Sequence, residues 1–425
     1  MEATVAILCT GNEILDGRVE DSNSRHLVAE LESLGIKAAH ILACRDDIRS
    51  IRESISFLLS RAAILIISGG LGPTSDDLTR EGVAEYLGQP LYLDKQALAD
   101  LQELYQRRKR IFDTSNTKQA QFPQGSRILK NPVGTAAGFH CSAGDKHILV
   151  VPGVPHELKR MFADHLAPFL RAHFSAAEAA PARYFHIFGR PESKVGELVE
   201  AVPAPKGINI SYRAHYPEII VKLTSDIEVA ELETFAAQAK QRIGSDFIFS
   251  EQPQQSFDQA LHDLLIAKKT SVAVAESCTG GMLGSLLTAN AGASNYFLGG
   301  VVTYSNEAKS KLLQVPADLI ESKGAVSVEV AKAMAENVRE LFQCDIAVSI
   351  TGIAGPDGGS AEKPVGTFFV GFAAARGAQA FHCFASASRA MVRTFASYTA
   401  LDIVRRHLLG YDLRPTDIIG APQTK

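Results

Sequence analysis

Apolar positions change rhythm along the chain, and the changes predict its elements. Val5-Ala-Ile-Leu8 is a short apolar run of strand type, after which Leu27, Val28, Leu31 and Leu34 recur at helical spacing. Ile36 to Leu42 reads as strand, Ile48 to Leu59 as helix, and Ala62 to Ile67 as a strand apolar on both faces. Helices are expected over Leu78–Leu87 and His156–His173. Strand–helix alternation predicts a largely parallel sheet with helices on both sides, and ligands beyond the carboxyl ends of the strands.

Ser175-Ala-Ala-Glu-Ala-Ala-Pro-Ala182 has no periodic face and reads as a linker. The next region predicts a strand (Tyr184–Phe188), a helix near Ser193–Glu200, strands Ile208–Ala214 and Glu218–Leu223, and a helix from Ala230 to Ile243. A further boundary falls near Glu251-Gln-Pro-Gln-Gln255. Ser256-Phe-Asp-Gln259 is the pattern of a capping box opening a helix. Strands follow at Val272–Ala275, Gly300–Tyr304, Ile346–Ile350 and Thr367–Ala373. The expected fold class is α/β and multidomain: an αβα domain over 1–174, a small α+β domain over 183–250, and an α/β domain over 256–415.

Composition narrows the function. A length of 425 residues, 46% of them hydrophobic and 21% charged, suits a globular protein of several domains. A net charge of −4 gives no electrostatic case for nucleic acid or an anionic membrane as partner. The six cysteines contain no CxxC pair, the pattern of free thiols in a reducing compartment. The uncharged span from Cys278 to Asn306 is interrupted by Gly280, Gly281, Asn290, Gly292 and Asn295, so no membrane helix is expected there. The start, MEATVAILCTGNE, is not of signal-peptide type, and a cytoplasmic location is expected.

Two constellations carry chemistry. The first is Ser68-Gly-Gly-Leu-Gly-Pro-Thr-Ser-Asp-Asp-Leu-Thr79, which leaves a buried strand and enters a helix. Gly69, Gly70 and Gly72 let backbone N–H groups converge on an anion, with Asp76 and Asp77 beside it for a hard cation. The loop Thr10-Gly-Asn-Glu-Ile-Leu-Asp-Gly17 leaves the first strand at the same edge and brings Glu13 near. The plain alternatives are a glycine turn with Asp77 near the helix N-terminus and a surface acid for Glu13, but two acidic loops at one sheet edge favour a divalent-metal phosphate site.

With GNEILDGRVEDSN (11–23), NPVGTAAGF (131–139) and VPGVPHE (151–157), these loops resemble the competence/damage-inducible CinA family. The GGxGxxxxDxT core is similar to that of molybdopterin-binding proteins, whose fold is therefore expected. The resemblance implies cleavage of ADP-ribose to AMP and ribose 5-phosphate with a divalent metal (Mg, Mn or Co). It suggests Asp77 as the metal ligand, Asp76 and Glu13 in support, and Asn23 and Thr74 as phosphate or ribose contacts. The middle region resembles the KH-type module of such chains. It lacks the GxxG that clamps RNA, so a spacer or dimerisation role is expected there.

The second constellation is AESCTGG (275–281) with Val302-Thr-Tyr-Ser-Asn-Glu-Ala-Lys309, Gly324-Ala-Val-Ser327 and Thr351-Gly-Ile-Ala-Gly-Pro-Asp-Gly-Gly359. Ser277 lies where a strand meets a glycine turn, so N–H groups from Cys278 to Gly281 are expected to face an oxyanion. No histidine lies in these motifs, leaving Lys309 as base if burial keeps it neutral, with Tyr304 to relay a proton or hold it. Thr279, Gly280, Gly281, Thr351, Gly352, Gly355, Arg389 and Arg393 are expected to bind substrate. The plain alternatives are a helix cap for Ser277, a surface lysine and a core tyrosine. This set resembles the CinA C-terminal domain, the nicotinamide-mononucleotide (NMN) deamidase family, which implies a metal-independent amidohydrolase and a homodimer. A molybdopterin-nucleotide transferase leaves the C-terminal motifs unexplained. A non-catalytic competence or recombination accessory role is the reading from another class.

Overall fold

The computed structural model describes residues 4–174, 181–226 and 228–413. The expected linker falls mostly on 175–180, and the expected end of the last domain at 415, both outside the described residues. The chain divides into two compact units, Met1–Ala180 and Pro181–Lys425.

The first unit is built on a six-stranded sheet. Strands Val5–Thr10, Ala38–Cys44, Ile64–Ser68 and Lys146–Val151 run parallel. Val5–Thr10 and Ile64–Ser68 are buried throughout, as central strands covered on both faces must be. Helices Ser22–Ser33 and Pro155–Met161 contribute to the core on one face of the sheet, and helix Ile48–Leu59 to the core on the other. The expectation of a largely parallel sheet needs one amendment. Gly138–Ala143 and Arg127–Leu129 complete the sheet antiparallel, through a tight turn at Gly144. The helix expected over His156–His173 is present but widens at Phe162–Leu166.

The second unit contains two sheets. A four-stranded antiparallel sheet joins Ala182–Ile187, Ile208–His215, Glu218–Ser225 and Ile248–Ser250, with helices Glu192–Glu200 and Val229–Ile243 over one core. The other sheet has five strands. Val272–Glu276 lies parallel between Phe297–Val302 and Ile346–Gly352, and Thr367–Ala374 and Gly377–Phe384 follow antiparallel. Ser256 occupies the N-cap of helix Phe257–Lys268, but its side chain makes no capping bond, so the expected capping box does not form.

The two sheets are tied together on helix Arg389–Leu409. Phe188 packs its ring against Phe257, Phe395 and Tyr398. Asp402 holds both Arg405 and Arg406 at 2.7 Å, and Arg406 also reaches Asp246 at 3.0 Å. These arginines are almost fully buried, and each finds acceptors on both sides, which offsets the cost of burying their charge. No helix of the described residues is long and apolar enough to cross a membrane.

Candidate active sites

In the first unit the carboxyl ends of the parallel strands open on a cavity of about 590 Å³. Gly69, Gly70, Gly72, Glu13, Asp76 and Asp77 all line it. Two glycines leave room for side chains that close over the loop. A Cβ on Gly70, whose φ is +63°, would stand 2.1 Å from the Thr79 hydroxyl, and one on Gly72 would stand 2.4 Å from the Asp77 carboxylate. Thr79 is fully buried and donates to the Gly69 carbonyl at 2.9 Å, pinning the loop to the helix that begins there. Beneath the loop, the fully buried Arg80 donates to the Leu71 carbonyl at 3.0 Å.

The carboxylates share this cavity without converging. Polar contact with the Thr74 side chain, then its own backbone N–H, hold Asp76 below the usual carboxylate range, although the Thr74 hydroxyl proton itself is directed at Asp77. Asp77 accepts from the Thr74 N–H at 2.9 Å and from its hydroxyl, which turns the carboxylate onto its own loop. Among the described residues, no three His, Cys, Asp or Glu side chains meet as a metal cage. Asp77, Asp76 and Glu13, the residues expected to serve a metal, nevertheless line this one cavity.

Two expected contacts are spent elsewhere. Thr74 serves Asp77, and Asn23 uses its amide N–H₂ on Ser68 Oγ (3.0 Å) and the Gly153 carbonyl (2.7 Å); neither lines the cavity. Asn23 Oδ1 is buried without a partner.

Sequence reasoning missed Asp46 and Glu157, which also line the cavity. Asp46 accepts from the Asn12 N–H at 2.7 Å. Burial first, then the charges of Glu13, Asp76 and Asp77, raise its carboxyl above the ordinary range, against that hydrogen bond. The signal was present: Asp46 follows a third parallel strand at the same sheet edge.

In the second unit, Val272–Glu276 is buried throughout and ends at Ser277, whose N–H extends the ladder to the Ile350 carbonyl at 3.0 Å. The chain then turns through Cys278 to Gly281 and enters helix Met282–Leu287. Lys309, from helix Asn306–Leu313, is 1% exposed. Its Nζ lies 3.0 Å from Ser277 Oγ and donates to the Thr303 carbonyl at 3.0 Å. Burial lowers the lysine pKa, favouring the neutral amine. The neighbouring Cys278 thiol is pushed up to about 11, chiefly by burial, which keeps it protonated.

Glu276 is a further residue of this turn that sequence reasoning passed over. Its buried carboxylate accepts from the N–H groups of Gly281, Leu283 and Gly284 at 3.0, 3.1 and 2.8 Å. These are donors that a helix start leaves unpaired, and an anion suits the positive end of the helix. The oxyanion expectation therefore narrows. The Gly280 N–H goes to Ser277, Gly281 to Glu276 and Met282 to Thr279, while among the described residues the N–H groups of Thr279 and of Cys278, which faces its own sulfur, meet no carbonyl or carboxylate.

Tyr304 does not hold the lysine. It is 62% exposed, and its hydroxyl accepts from Arg389 Nη2 at 3.1 Å. Arg389 also donates to the Gly355 carbonyl (2.7 Å), and Arg393 to the Thr279 carbonyl (2.7 Å). Both cations are thus drawn to the loops flanking Ser277. Thr351 is buried, with its hydroxyl committed to the Ala325 carbonyl at 2.8 Å, so it is not a free phosphate donor. A Cβ on Gly352 would meet Phe368 at 2.6 Å, a packing requirement.

Both constellations have known counterparts. Residues 254–408 match the family described as "CinA C-terminal domain", and residues 6–172 the "Probable molybdopterin binding domain". A CinA-like protein of Citrifermentans bemidjiense is 40% identical, covering 95% of this chain and 97% of its own length. The chain belongs to the CinA-like family. A CinA-like protein of Geotalea uraniireducens is 38% identical over 95% of this chain and 97% of its own. In this CinA-like chain, the carboxylate-lined cavity falls within the molybdopterin-binding-like match, and the Ser277–Lys309 pair within the CinA C-terminal match.

Proposed function

We propose that the chain is a bifunctional hydrolase of pyridine-nucleotide recycling, a NMN deamidase in its C-terminal part and an ADP-ribose pyrophosphatase in its N-terminal part. The observation that supports it most is a buried lysine amine 3.0 Å from a serine hydroxyl at the turn between a strand and a helix. A neutral amine there accepts the Ser277 proton as Oγ attacks the carboxamide carbon of NMN. The Cys278 and Thr279 N–H groups receive the developing oxyanion. The C–N bond then breaks, Lys309 returns the proton to the departing ammonia, and water hydrolyses the serine ester to nicotinate mononucleotide. Arg389 and Arg393 offer charge to the phosphate.

For the N-terminal site, the carboxylates of Glu13, Asp46, Asp76 and Asp77 suit a hard divalent cation, since all four are oxygen donors on one cavity. Such a cation, when bound, supplies neutralisation of the pyrophosphate. The chain's own part is to cradle the phosphates on the N–H groups of the Gly69–Gly72 loop. Incubation of the pure protein with NMN and with ADP-ribose, each with and without divalent metal, tests the reading by product mass. Failure to consume either substrate would remove it.

A further inference from the structure

A second cavity, of about 320 Å³, adjoins the carboxylate-lined one in the first unit. Gln119 and Thr135 line both, so these two residues form the wall between them. The chemistry changes across that wall. One side carries glycine N–H groups and carboxylates, whereas the other sets the apolar side chains of Ala97, Leu101, Leu104, Ile128 and Ala137 beside the polar Asp94, Asp100 and Lys130. A compartment of this size and lining accepts a flat heterocycle and does not suit a phosphate.

Gln119 supplies the polar contact such a ring needs. The residue is 3% exposed, and its Nε2 donates to Thr135 Oγ1 at 3.3 Å. Its Oε1 is buried with no partner. A buried carbonyl oxygen left unpaired is costly, and a ligand N–H arriving there removes the cost. The Arg80 guanidinium reaches the Gln119 backbone carbonyl at 3.5 Å, so the glycine loop and the wall residue share one support.

We infer that this second cavity is a base subsite selective for a 6-aminopurine nucleotide, with Gln119 Oε1 accepting from the exocyclic amine. The inference rests on the pyrophosphatase reading for the placement of the phosphates in the first cavity. Because Nε2 is committed to Thr135, the wall presents an acceptor. A 6-oxo purine opposes it with a second acceptor and is disfavoured.

Calorimetric titration of the full-length protein with AMP, IMP, adenosine and ribose 5-phosphate tests this. AMP is expected to bind about tenfold or more tighter than IMP, the range of one buried hydrogen bond left unmade. Gln119→Leu should erase that preference. Ala97→Phe, which fills the cavity, should weaken AMP and adenosine while leaving ribose 5-phosphate unchanged. Unchanged binding of ribose 5-phosphate, together with a native circular dichroism spectrum and thermal melt, certifies that the first unit of both variants folds. Equal binding of AMP and IMP by the native protein, no binding of AMP, or a preference that survives Gln119→Leu overturns the subsite. ADP-ribose cleavage reports separately: binding of AMP without cleavage refutes the pyrophosphatase alone, and cleavage without base preference refutes the subsite alone.

Discussion

Replacing Lys309 by Met keeps most of the stem and removes the amine. Two contacts disappear with it, the 3.0 Å approach to Ser277 Oγ and the 3.0 Å bond to the Thr303 carbonyl. Leaving one buried acceptor unpaired costs about 1–3 kcal/mol. The opposing effect is the burial that lowers the lysine pKa, which Met does not suffer. The net change in melting temperature should therefore stay within roughly 4 °C. Deamidation should fall by about 10²–10⁴, the usual contribution of a general base. Activity collapsing while the fold persists is the signature of a catalytic amine.

The pH dependence has a definite sign. Native Lys309 loses its proton at lower pH than the unfolded chain's lysine, so the unfolded state binds more protons between those two values. Stability of the native protein relative to Lys309→Met should rise with pH across that interval. The rate should rise with the fraction of neutral amine and level off below the ordinary lysine value of about 10.4. Ammonia release from NMN across pH, with thermal melts of both proteins, provides the measurement. Native turnover in Lys309→Met, or a rising limb at the unshifted lysine value, refutes the base assignment.

Ser277→Ala should abolish deamidation and Cys278→Ala should retain most of it; alkylation of Cys278 should be slow, because the thiol is buried and its pKa is pushed up to about 11. Glu276→Gln sets an amide N–H₂ near backbone donors now served by a carboxylate. It should lose about 1–3 kcal/mol in a denaturant titration and lower kcat for NMN. Asp77→Asn should weaken ADP-ribose cleavage strongly while NMN deamidation survives, and a chelator should do the same; equal loss of both activities would contradict two separate sites.

The Ser277–Lys309 pair was legible because each residue lies beside a readable element end: a strand giving way to a glycine turn, and a helix start. Glu276 was not, since an acid ending an apolar strand looks like the return of the chain to solvent. Only the folded turn shows that three backbone N–H groups await it. Tyr304 was assigned to the lysine by proximity in sequence, but the strand ends at Val302 and sends the tyrosine outward to Arg389. The hairpin Gly138–Val151 escaped notice because His140 and Ser142 interrupt the apolar run of its first strand. The carboxylates of the first unit were readable as a group by the sheet-edge rule; their mutual disposition was not, since it depends on Thr74 and Asn12 as hydrogen-bond donors.

The most direct test of the serine–lysine account is hydroxylamine trapping during NMN turnover. An ester on Ser277 should partition to hydroxylamine as well as to water. The native protein should therefore form the hydroxamate of nicotinate mononucleotide with a chelator present, and Ser277→Ala should form none. Ammonia release from NMN without any hydroxamate, or hydroxamate formation by Ser277→Ala, would contradict the account.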